Sequence, residues 1–453
     1  MTQPVAIGAV VAVAIVTAVI GVRGVRVSRT PADFLVAARE VPPVLNASAI
    51  SGEYLSAASF LGIAALAMQQ GIGALWYAVG YAGGYLVLLA VVAAPLRRFG
   101  AYTIPDFAEG RLDSRRLRQA ATIMVLVICG FYVLPQLKGA GITLQEVFGL
   151  PYWAGVAVLG AVVTAAIASG GMKGITMVQA FQFWLKISAL AIPALCLLAF
   201  VHHAPLSSLN APTPPASSGP QTLSGSAWLF PMVKINGMNI HPLAATYGVI
   251  LATFFGALGL PHILVRFYTN PDGQAARRTT SIVLLLLSCF YVFPAIFAVL
   301  GRLEAPGLYA TGQTDTVVLL LPRIQAHGTL AQLLAALTAA GAFAAFLSTT
   351  SGLLIAMSGA ISHDILRRGS GTFRAAAVAV GVISTLCGLA MSGYSINVLV
   401  GWAFAIAASS FCPLLILGIW WPRLTWVGGL AGLIVGGGAA SGAVVATMAG
   451  AGQ

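Results

Sequence analysis

Charge is what this sequence has least of. Of its 453 residues only 11 are acidic, and 8% carry charge of either sign. Soluble domains carry about a quarter charged residues, so a soluble globular domain is excluded. Cysteine is scarce as well. Cys129, Cys196, Cys289, Cys387 and Cys412 all fall inside apolar runs, lack metal-ligand spacing, and read as small core hydrophobes. The six histidines are scattered, and no His/Asp/Ser set shares a face, which removes the usual grounds for an enzyme. No soluble output domain accompanies the apolar runs, which argues against a sensor. The net charge of +12 sits in short loops and not on one basic face, so nucleic-acid binding is rejected.

What remains is apolar. Hydrophobic residues make up 59% of the chain, and the mean hydropathy is +0.93. Runs of about 20 apolar residues recur, each long enough for a hydrocarbon core of about 30 Å, and predict an all-α polytopic membrane protein of about twelve helices. The first, residues 5–22, has no basic stretch before it and no cleavage pattern after it, so it stays as a helix and is not a signal peptide. Residues 202–237, rich in Pro and Ser, read as a long exposed loop. An N terminus outside puts the loops at Arg23, Arg97, Lys173, Arg277, Arg367 and Arg423 on one side. The other side keeps only Lys234, Arg302 and Arg323. That asymmetry follows the positive-inside rule and predicts a multi-pass plasma-membrane protein with both termini outside.

Three spans carry polar groups where lipid would forbid them. Residues 45–68 hold Ser51-Gly52-Glu53-Tyr54, followed by Ser56 and Ser59. Glycine costs roughly 1 kcal/mol against alanine inside a helix, and a carboxylate at mid-bilayer costs several more. We expect a broken helix here, with freed backbone groups that bind something. Glu53 reads as the one acid placed deep in a span, either functional or pairing structurally. Lys138 and Lys186 are mid-span cations that either pair with Glu53 or meet an anionic substrate, and Lys186 reads equally as a snorkelling lysine.

In the ninth span Ala345, Ser348, Thr349 and Gly352 share one helix face. Their oxygens suit a hard cation such as Na⁺, and their small size equally suits close helix packing. The seventh span is interrupted at Gly256, Gly259 and Pro261. His262 beside it reads as a capping or gating group. Two interrupted helices, each opening a block of five spans at 44–200 and 241–419, predict inverted repeats, with one extra helix before (5–22) and one after (426–448) in a single transmembrane domain, 1–453.

The residues also carry a resemblance. Asp33-Phe34, Ala38-Arg39, Pro43 and Asn46 precede SGEYLSAASFLGI. YTIPDFAEGR, GGMKGITMVQAFQFWLK, GLPHILVRFYT, AFLSTTSGLLIAMSGAISHDIL and WWPRLTWVGGLAG follow in order. This succession resembles the sodium:solute symporter family over nearly the whole chain. SGEYLSAASFLG and GLPH are most similar to its cation/acetate and short monocarboxylate permeases. The resemblance implies a leucine-transporter-like fold of two inverted five-helix repeats. It implies Na⁺ held by the carbonyls of Gly52, Leu55 and Ala345 and the hydroxyls of Ser348 and Thr349. The solute would lie beside Glu53, Tyr54, Ser56 and Ser59, facing Thr253 and Gly256. The implied activity is Na⁺-coupled symport of a small organic anion such as acetate, pyruvate or propionate, with no organic cofactor and no obligate protein partner. H⁺ coupling, or Na⁺ symport of an amino acid or sugar, are the alternatives. Two departures stand out. Gln179 takes a position where many members carry an acid, and the chain stops shortly after its last span.

Overall fold

Lipid offers a backbone no hydrogen-bond partners, so an apolar chain of this length satisfies its amides within helices. The computed structural model describes residues 4–25, 37–169, 172–200, 228–233, 241–366, 370–391 and 393–450, and among these there is no strand. Among the described residues nine helices are long and apolar enough to cross a membrane, two bent pairs add one span each if each is a single span, and a shorter apolar helix brings the segments to the twelve expected. In order these are α1 (Pro4–Val25), the bent pair α2 (Pro43–Tyr54) and α3 (Ala58–Gln70), and α4 (Ile72–Phe99). A short helix α5 (Ile104–Leu112) leads into α6 (Arg115–Phe148), α7 (Tyr152–Ser169) and α8 (Met172–Leu198). The second bent pair is α9 (Pro242–Leu258) and α10 (Pro261–Thr269), followed by α11 (Gly273–Glu304) and α12 (Gly328–Ile365). α13 (Ser370–Ala390), α14 (Ile396–Trp420) and α15 (Trp426–Met448) end the series.

Burial sorts these helices. In α12, 78% of the spanning residues are enclosed, against 17% in α1 and 22% in α15. α12 is therefore the central post, and the first and last helices are peripheral. Of the cysteines, Cys129 and Cys412 are buried as expected, whereas Cys289 and Cys387 face outward.

Among the described residues, the segments near Arg97, Arg277 and Arg423, assigned to one side by their cations, are joined at one end. Arg97 donates to the carbonyls of Asn270 and Pro271, and Arg111 to that of Gly418 at 2.7 Å. The opposite end is tied by Trp228 to the Met68 carbonyl (3.0 Å) and by Trp76 to that of Pro231 (2.7 Å). The expectations for Asp33, Phe34, Lys234 and Arg367, and for most of the 202–237 loop, lie outside the described residues.

Both expected interruptions are present, and the first sits later than its glycine suggested. α2 runs through Gly52 and Glu53 to Tyr54; the chain leaves the helix at Leu55 (ψ 86°) and α3 departs at 70°. Gly52 is small for another reason: a Cβ there would run into the backbone carbonyl of Gln179 on α8. The glycine lets two helices touch and does not make the break. The second pair bends by 44° between Leu258 and Pro261. Pro261 opens α10 at a first-turn position, where its missing N–H costs nothing.

Candidate functional site

A break inside a membrane frees backbone groups that must find partners. At the first break the Ala57 N–H donates to Gln136 Oε1 at 2.8 Å. The freed carbonyls of Gly52 and Leu55 accept from the ammonium of Lys186, in the latter case at 2.9 Å, and the same ammonium donates to Ser348 Oγ. Ser348 itself donates to the Gly52 carbonyl (2.7 Å) and lies 3.1 Å from that of Ala345, while Thr349 donates to the Glu53 carbonyl (2.6 Å). The five residues expected around Na⁺ thus converge on one place, between α2, α12 and the break. Lys186 of α8, fully buried, stands among them. It does not snorkel.

Glu53 is engaged on its other side. Arg266 of α10 donates through Nε to its carboxylate at 2.6 Å, and both side chains are 1% exposed. The guanidinium also reaches Thr176 Oγ1 (2.8 Å) and Gln179 Oε1, and Gln179 Nε2 donates to the Ser348 carbonyl (2.9 Å). Gly352 completes the fit, since a Cβ there would overlap the Glu53 carboxylate. The ninth-span face therefore serves packing and polar contact together. Neither Lys138 nor Lys186 is hydrogen-bonded to the Glu53 carboxylate; Arg266 is, a partner the sequence reading missed. A usable signal existed, because a lone intramembrane acid calls for a cation and Arg266 follows the matching break. Thr176, Gln179 and Lys186, spaced i, i+3, i+10 on α8, form a polar stripe that was also legible.

A cavity of about 780 Å³ opens at the end opposite the arginine-rich loops, between Gln69, Asp315 and Tyr394. Tyr77, Lys138, Thr253, Asn397, Trp402 and Phe404 line it. Lys138 donates to the Tyr394 carbonyl and lies 4.0 Å from the Asp315 carboxylate. Of the residues expected to face solute, Thr253 lines the cavity, its hydroxyl given to the Val249 carbonyl (2.7 Å). The others are enclosed. Tyr54 donates to the Tyr81 carbonyl (2.9 Å) and sets its ring edge-on to Phe404, with centroids 6.4 Å apart. Ser59 bonds Tyr291 at 2.9 Å, Ser56 is fully buried, and Gly256 is pressed against Phe404. His262 is buried with its ring against Tyr132. Asn397, read only as part of a span, donates to the Gly62 carbonyl at 2.7 Å.

At the arginine-rich end Arg118 joins three acids: Asp364 (2.6 Å), Asp106 (3.3 Å) and Glu109. Asp364 has a fully buried side chain, so Glu53 is not the only enclosed acid. Burial would push the Asp106 carboxyl up, but hydrogen bonds from His363 and the Tyr102 N–H, with Arg118 close by, hold it below the usual carboxylate range. Asp106, His363 and Asp364 have metal-type side chains in mutual reach. Arg118 already bridges the two carboxylates, so the group reads as an ion-pair lock.

Comparison with known proteins follows the same lines. The chain is 31% identical over 423 residues to an uncharacterized symporter, YwcA, of Bacillus subtilis (strain 168), covering 90% of this chain and 80% of that one. Its fold matches a solved Na⁺-coupled sialic acid symporter in a substrate-bound outward-open state (TM-score 0.76, 14% identity, 96% of this chain and 97% of that one). It also matches MhsT in complex with L-phenylalanine (TM-score 0.56, 17% identity, 86% and 97%). These likenesses establish the leucine-transporter-like fold, and the neighbours are transporters, not enzymes. A profile of the sodium:solute symporter family matches residues 34–436, and the chain belongs to that family.

Proposed function

We propose that the protein is a secondary active symporter that carries a small organic anion, a monocarboxylate such as acetate, pyruvate or propionate, together with Na⁺ by alternating access. The observation that supports this reading most is the cavity, which runs from one end of the molecule to Thr253 and Phe404, beside both broken helices, with Lys138 in its wall. Broken helices at matching positions of two repeats, 44–200 and 241–419, are the setting in which transporters bind solute and ion. Family membership supports Na⁺, and SGEYLSAASFLG and GLPH support a monocarboxylate. The cation ligands in this reading are Gly52, Leu55, Ala345, Ser348 and Thr349. The solute meets Thr253 first and reaches Tyr54, Ser56, Ser59 and Gly256 once Phe404 moves aside. Glu53 takes part through its main chain, since its carboxylate is committed to Arg266. The arginine-rich end faces the cytoplasm of a plasma-membrane protein, with both termini outside.

A membrane potential supplies roughly 2.3 kcal/mol per charge per 100 mV. One cation per monocarboxylate is electroneutral, so a second cation is needed for the potential to drive uptake. One observation favours a second reading, H⁺ in place of Na⁺: the expected cation ligands already hold the Lys186 ammonium. Proteoliposomes separate the two. Labelled acetate, pyruvate and propionate are offered under a Na⁺ gradient and, separately, a pH gradient. Uptake that follows Na⁺ supports the first reading, and uptake that follows pH alone replaces it with the second. Lys138→Gln is expected to weaken carboxylate uptake by about tenfold, equivalent to about 1.4 kcal/mol. Uptake of a sugar or amino acid, with no carboxylate accepted, rejects the anion.

A further inference from the structure

We propose that the oxygen pocket at the first break has two mutually exclusive occupants, the Lys186 ammonium and a free Na⁺, so that the ion enters only by displacing the side chain. The proposal deepens the transport reading and rests on it for the identity of the ion.

The geometry carries it. An ammonium has three donors and no acceptor. All three are spent here, on Gly52 O, Leu55 O and Ser348 Oγ, three of the five groups expected around Na⁺. Of the other two, the Ala345 carbonyl faces the Ser348 hydroxyl of the same set, and the Thr349 hydroxyl is given to the neighbouring Glu53 carbonyl. Lys186 comes from α8, whereas the oxygens belong to α2, the break and α12, so the side chain inserts between them and ties three helices together. It is fully buried, and the nearby carboxylate of Glu53 is already bound by Arg266. No second acid stands among the named contacts to balance an added cation. Two like charges sharing one set of oxygens in a medium of low dielectric repel strongly, so one must leave before the other binds. The lysine stem is flexible, with four carbons, which lets its ammonium withdraw while α8 stays in place.

The test uses the purified full-length protein without organic solute, so a wrong assignment of solute leaves its result untouched. Binding of radioactive Na⁺ against a K⁺ background is measured for wild type, Lys186→Met and Lys186→Met with Ser348→Ala. Competition predicts that Lys186→Met binds Na⁺ at least about tenfold more tightly than wild type. Na⁺ should raise its melting temperature relative to K⁺, and Ser348→Ala should remove both gains. Equal Na⁺ affinity in wild type and Lys186→Met overturns the proposal, as does a gain that survives Ser348→Ala. Wild type supplies a second measurement that needs no substitution: acylation of Lys186 by a small amine-reactive reagent, read by mass spectrometry. Na⁺ should raise this labelling relative to K⁺, and equal labelling in the two salts overturns the proposal.

Discussion

The two broken helices resemble each other in outline and differ in how they are closed. The first break is stitched by side chains from distant helices: Gln136 on the Ala57 amide, Lys186 on the carbonyls of Gly52 and Leu55, and Arg266 on the Glu53 carboxylate. The second is closed by shape. Gly256 lies against Phe404, Gly259 against the backbone of Ala407, and Pro261 needs no amide partner. A break closed by polar side chains can exchange those partners for an ion, because one hydrogen-bonding group replaces another. A break closed by contact of backbone and ring has nothing to exchange. It works as a bend.

The largest effect that tests this contrast lies at the first break. Arg266→Ala should leave the Glu53 carboxylate buried without its cation and destabilise the protein by about 3–5 kcal/mol. A melting curve of the purified variant reads this directly. Glu53→Ala combined with Arg266→Ala should recover part of the loss, and a double variant as unstable as Arg266→Ala would refute pairing as the cause. At the second break Gly259→Ala should cost about 1–3 kcal/mol through overpacking against Ala407. Its loss should be the same in Na⁺ and K⁺, whereas sensitivity to Na⁺ would show that the second break also holds an ion. The smallest effect belongs to the ion-pair lock at the arginine-rich end. Because the folded Asp106 carboxyl is held below its ordinary value of about 3.9, its contribution is present above that value. It is lost as pH falls through the lower, folded value. The melting temperature should therefore drop in acid below about pH 4 more steeply for wild type than for Asp106→Asn. Equal slopes would remove Asp106 from the lock.

Much of the fold was legible because lipid imposes a local rule. Apolar runs of spanning length marked the helices, and of the basic residues placed on one side Arg97 reaches the carbonyl of Asn270 and Arg111 that of Gly418 near the end of α14. The breaks were legible from Gly, Pro and an acid in places that lipid penalises. Their details were not. Gly52 suggested the break, yet the helix passes through it, because what the glycine accommodates is the Gln179 backbone on another helix. The solute residues show the same limit. Thr253 reaches the cavity while Tyr54, edge-on to Phe404, is held by Tyr81, and Ser59 by Tyr291, partners that no spacing along one helix announces.

By itself the sequence determined the class of protein, the placing of the apolar helices and the existence of two interrupted helices. Each depends on hydropathy or backbone chemistry within a single segment. Only the tertiary structure decided what fills the first break. Lys186 lies 134 residues from Gly52, and Arg266 lies 213 residues from Glu53. Helical periodicity says which face a residue occupies and not which distant helix that face will meet. The same lysine that reads as a snorkelling cation in its own span is, once α8 packs against α2 and α12, the group that holds the oxygens expected around Na⁺.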